Sequence, residues 1–159
     1  MKLGTETFAR IDDGDGWLLS ETRGGSEKIE DKALKLQKLA HDKGYYCICG
    51  AVDDEGYGLY LVPEKGVRYV IEKFYVGSHA GVEPESVYDE IAVADGQNPL
   101  IPFFADEAGL KARFSKPVTE ELIAVLEDTL LSVEPMMDED EGTIAGYVRQ
   151  NHGLHLWWD

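Results

Sequence analysis

The sequence predicts an α+β fold: one domain over residues 1–159, with antiparallel β-hairpins or a sheet packed with two to three helices. Three observations carry this expectation. Two stretches, 26–44 and 118–134, repeat apolar residues at helical spacing between cap and stop residues. Two others, around 12–16 and 53–56, set Asp and Gly between β-rich runs and read as hairpin turns. At 159 residues the chain suffices for one core and is short for two.

Taken in order, TETFARIDDGDGWLLSET reads as the first hairpin. The first helix follows, with Ser26 as cap, Glu27 in the first turn and Gly44 closing it. Ile29, Ala33, Leu36 and Ala40 form its core stripe, and Lys28, Lys32, Lys35 and Lys38 its outer face. YYCICGAVDDEGYGLYLVP is the second hairpin, turning at Asp53, Asp54, Glu55 and Gly56. GVRYVIEKFYVG, rich in β-branched and aromatic residues, reads as a further strand. Pro84 opens a short helix that ends near Gly96. The stretch 97–117, punctuated by Pro99, Pro102 and Pro117, reads as a loop with a short turn of helix. The second clear helix starts at the cap Thr119, with Val118 and Ile123 placed as a hydrophobic staple and Glu120 and Glu121 at the favourable end of the dipole. The tail GTIAGYVRQNHGLHLWWD reads as a last hairpin turning at Asn151-His152-Gly153, with a helix over its first part as the alternative.

Charge is the unusual quantity. The chain carries 31 acids and 15 bases, net −16. Residues 1–79 hold 14 acids and 11 bases; residues 80–159 hold 17 acids against Lys111, Arg113, Lys116 and Arg149. The second half is therefore net −13, a surface that repels nucleic-acid phosphates and anionic membranes. No apolar leader or membrane-length run is visible, and Cys47 and Cys49 stand too close along an extended segment for a relaxed disulfide, so a cytoplasmic setting is expected.

Motifs for chemistry fall short. The first hairpin offers Asp13 and Asp15 at calcium-loop spacing, but Ile11 and Thr22 occupy the first and last ligand positions. Cys47 and Cys49 supply two thiols where structural zinc wants four ligands; His41, His152 and His155 would have to complete the set. GSHAG places His79 where a nucleophile elbow needs Ser, and no phosphate loop or dinucleotide fingerprint is present. No cofactor is expected, and the balance leans away from an enzyme.

The remaining feature is the helix after Thr119. At 100° per residue, Leu122, Ile123, Leu126, Leu130 and Val133 gather on the core side. Opposite them run Glu120, Ala124, Glu127, Leu131 and Glu134, flanked by Glu121 and Asp128. Asp138, Glu139, Asp140 and Glu141 follow; four acids are unfavourable in a last helical turn, so they read as a surface loop extending the same field. An apolar Leu131 within a ring of acids suits a contact that desolvates while charge steers the approach. The expected function is a small acidic protein-binding module, an inhibitor, immunity-type protein or nucleic-acid mimic that neutralises a basic partner such as a nuclease or DNA-binding toxin. The alternatives are a metal-assisted hydrolase using His79, His152 or His155, and a structural or assembly subunit.

Overall fold

The structure is a computed structural model and describes residues 1–11, 16–23, 25–54, 56–130 and 143–158. Its residues fall into two compact units, Met1–Lys65 with Phe103–Ala105, and Gly66–Pro102 with Asp106–Asp159.

In the first unit, β1 (Lys2–Leu3) and β2 (Glu6–Thr7) form a small antiparallel pair. β3 (Ala9–Arg10) and β4 (Trp17–Arg23) form the first expected hairpin. Helix α1 (Glu27–His41) buries Ile29, Ala33 and Ala40 and packs on β5 (Tyr45–Asp53). β5 turns back into β6 (Gly56–Pro63), the second expected hairpin, with Cys47 facing Leu61 and Cys49 facing Leu59. Residues Tyr46 to Gly50 are all buried, as befits a strand covered on both faces. Gln37 of α1 fixes the helix to the strand, accepting from Cys47 N at 2.7 Å and donating to Cys47 O at 3.2 Å.

The second unit contains α2 (Val67–Lys73), a 3-10 turn at Ser78–Ala80, α3 (Pro84–Gln97), β8 (Gly109–Phe114), α4 (Glu120–Thr129), α5 (Ile144–Asn151) and β9 (Gly153–Trp157). Strand β7 (Leu100–Asp106) supplies residues to both units. The seven-stranded sheet has the order β3-β4-β6-β5-β7-β8-β9. In it β5 and β7 are parallel, with Cys49 facing Phe104 and Gly50 facing Ala105.

Five expectations are corrected. The sheet is mixed rather than antiparallel, and five α-helices are present among the described residues rather than two or three. GVRYVIEKFYVG is helical: Val67, Val70 and Ile71 are buried at i, i+3 and i+4, a helical period that β-branched composition masks. The proline-rich stretch is a pair of strands: Pro99 precedes β7 and Pro117 follows β8, while Pro102 lies within β7 itself. The tail is a helix and a strand rather than a hairpin, so the alternative of a helix over its first part holds. Thr143 caps α5 by accepting from Gly146 N at 3.1 Å, and His152 at φ 55° reverses the chain into β9. Gly153 is required there because a Cβ would lie 2.1 Å from the Ala112 carbonyl oxygen.

Candidate protein-binding surface

Helix α4 is built as its residue types dictate. Thr119 is extended at φ −107°, ψ 159°, and its hydroxyl accepts from Leu122 N at 3.2 Å. Leu122, Ile123, Leu126 and Leu130 are buried. Glu120, Glu121, Ala124, Glu127 and Asp128 are exposed. Seven residues make nearly two turns, so Glu120 stands above Glu127, and Glu121 above Asp128, about 10 Å apart along the axis. The described part of the acidic stripe therefore stands in two parallel rows facing water. Leu131, Glu134, Asp138, Glu139, Asp140 and Glu141 lie outside the described residues, as does Val133.

One cation that the sequence reading left unassigned reaches this surface. Arg149 of α5 holds Glu120 in a two-pronged pair, Nε to Oε1 at 3.1 Å and Nη2 to Oε2 at 2.7 Å. The hydrogen bond from Arg149 holds the Glu120 carboxyl below the ordinary carboxylate range. Glu120 and then Glu127 hold the guanidinium charged. Both partners are solvated, so the pair orients side chains more than it stabilises. Which helix faces α4 is a tertiary fact, and no spacing in the chain announces it. Chemically, the surface offers oxygen acceptors and negative charge, the complement of lysine or arginine side chains.

The histidines lie on different elements. His79 lies exposed on the 3-10 turn, near enough to Asp106 to favour its charged form. Asp106 itself is pushed up by partial burial, against the backbone N–H groups of Ala108 and Gly109 that favour its charged form; Ala108 N donates to Oδ1 at 2.9 Å. His152 ends α5, and His155 on β9 lies between the rings of Tyr147 and Trp157, at 6.1 and 6.3 Å. His41 meets Glu64 at 2.6 Å, and that hydrogen bond raises its pKa.

Cys47 and Cys49 are buried thiols, and burial pushes the Cys47 thiol up to about 12. Asp13 and Asp15 of the calcium-like turn lie outside the described residues. Among the described residues, no three His, Cys, Asp or Glu side chains gather as a metal-ligand set, and no helix is long and apolar enough to cross a membrane. Comparison of the chain with protein-family models, curated proteins and solved structures found no match to any of them.

Proposed function

We propose that the chain is a small acidic protein-binding module, an inhibitor, immunity-type protein or nucleic-acid mimic that neutralises a basic partner such as a nuclease or DNA-binding toxin. The observation that carries the reading is the outward face of α4, where Glu121, Glu127 and Asp128 stand exposed beside the Arg149–Glu120 pair. The −13 charge of residues 80–159 supports it, because a field of one sign raises encounter rates with the opposite sign and discourages like-charged competitors. On sequence grounds, Leu131, Glu134 and Asp138, Glu139, Asp140 and Glu141 extend the same contact surface.

The test is capture of a basic protein on the immobilised chain, eluted with stepped salt, beside a variant carrying Glu121→Gln, Glu127→Gln and Asp128→Asn. A partner that leaves the variant at clearly lower salt supports the reading. A partner eluting at the same salt from both proteins, or no basic partner at all, rejects the α4 face.

A further inference from the structure

A second charged helix face lies open to water, on α1. At 100° per residue, Lys28, Lys32, Lys35 and Leu39 fall within an arc of about 60°, turned away from the buried Ile29, Ala33 and Ala40. Leu39 is 43% exposed. Lys28 and Lys35 are exposed too, and neither forms an ion pair among the described residues. Lys32 pairs with Glu6 of β2. Asp31 and Asp42 border the row on one side. A leucine set among lysines is more than a stray apolar residue, because the lysine stems widen the apolar area while their tips carry charge.

The described face of α4 is its complement. Glu121 and Asp128 are exposed, and neither forms an ion pair among the described residues. Lys28 and Lys35 are seven residues apart, as are Glu121 and Asp128, so each pair spans about 10 Å along its helix. Two such helices laid antiparallel bring Lys28 against Asp128 and Lys35 against Glu121 in a single register. Leu39, one turn beyond Lys35, then reaches the approach to α4, where Pro117 is exposed and Val118 half-buried. Charge, spacing and the apolar contact agree in that one arrangement.

We propose that the Lys28–Lys35–Leu39 face of α1 docks on the α4 face of a second copy of the chain. The inference goes beyond the protein-binding reading and shares only its α4 face: the chain carries a basic face of its own that competes for that surface. Salt decides when the contact forms. In dilute buffer the net −16 charge makes two copies repel at long range. At about 0.15 M salt the screening length falls to about 8 Å, so that repulsion fades while charges in contact still attract. At about 1 M salt the contact pairs are screened as well. Self-docking therefore rises and then falls with salt, whereas capture of a basic partner only weakens. The pairs are exposed and the face is small, so docking is populated near about 1 mM protein.

Amide NMR spectra of the full chain, diluted about 20-fold from about 1 mM at several salt concentrations, test it. Signals of α1 and α4 should shift together on dilution, most strongly at intermediate salt. Lys28→Glu with Lys35→Glu should abolish those shifts, and so should Glu121→Lys with Asp128→Lys, since each leaves two faces of like charge. Mixing the two double variants should restore them, because the basic α1 of one then meets the acidic α4 of the other. Recovery on mixing also shows that neither variant had merely unfolded. Intact chain without dilution shifts, shifts that survive either reversal, or a mixture that stays silent overturns the self-docking. The α4 reading is scored separately, by salt elution of a basic partner from the Lys28→Glu, Lys35→Glu variant, which keeps the acidic face. A partner held there as firmly as by the intact chain leaves that reading standing whatever the dilution series shows.

Discussion

Helices α1 and α4 belong to different units and reach stability by different means. α1 runs fifteen residues and makes no side-chain cap: Ser26 has helical backbone angles, and its hydroxyl donates to Glu30 at 2.6 Å instead. What holds α1 is burial of Ala33 and Ala40 against the sheet and the two Gln37 bonds to Cys47. α4 runs ten residues, caps on Thr119, places two acids at its positive end and leaves its outer face almost wholly acidic. The lesson is that a residue of capping type at a helix start is not yet a cap. The backbone angle at that position decides whether the hydroxyl faces the free N–H groups or a neighbouring side chain.

The comparison can be broken first at the buried faces. Leu126→Ala on α4 removes a fully buried side chain and should cost about 2–5 kcal/mol. Leu39→Ala on α1, at an exposed site, should change stability by under about 0.5 kcal/mol. Urea denaturation of both variants checks this, and equal effects would mean that the faces are misassigned.

The caps sharpen it next. Thr119→Ala should lose about 1 kcal/mol, largely recovered by Thr119→Asn. Ser26→Asp, favourable under a simple capping rule, should destabilise on the order of 1 kcal/mol because its carboxylate would face that of Glu30. A stabilised Ser26→Asp would show that Ser26 caps α1 after all.

Asp106 gives a pH-dependent test within the second unit. Its folded-state pKa is raised, chiefly by burial, so the folded chain holds this proton more tightly than the unfolded chain. Stability therefore falls as pH rises from the unfolded to the folded pKa, and the penalty is fully present above the folded value. Asp106→Asn keeps an oxygen acceptor for Ala108 N and removes the charge. It should give a small rise in melting temperature at neutral pH that vanishes once the pH drops below the unfolded-state value. A neutral-pH melting temperature at or below that of the parent would contradict the assignment.

The smallest effect belongs to the Arg149–Glu120 pair. Arg149→Gln should lower the melting temperature slightly in dilute buffer and leave it unchanged at about 0.5 M salt, since exposed pairs are screened. A salt-independent loss would instead point to packing of the arginine stem. Since Arg149 neutralises part of the α4 face, the same variant should bind a basic partner more tightly.

Much of the first unit and the course of α4 follow from local chemistry. Asp and Gly between β-rich runs gave both hairpins, and the 3.6-residue repeat placed Leu122, Ile123 and Leu126 inward with Glu121, Glu127 and Asp128 outward. Those features depend on neighbours within a turn or two, and the side-chain period reports them directly. The acidic excess of residues 80–159 is likewise a property of the chain alone.

What the chain could not announce was decided by distant partners. Residues 67–73 carry strand-like composition, yet Val67, Val70 and Ile71 find burial on one side only as a helix. Pro99 and Pro102 suggested a loop, but β7 pairs in parallel with β5, whose sequence lies some fifty residues earlier. Neither Arg149 reaching Glu120 nor Tyr75 standing outward on a left-handed turn is written in a spacing. The sequence by itself determined where helical faces and hairpin turns form and how charge is shared between the halves, because those depend on local periods and residue type. Tertiary structure alone decided strand order, the identity of α2 and the neighbours of the acidic face, because burial and pairing are settled by residues far apart in the chain.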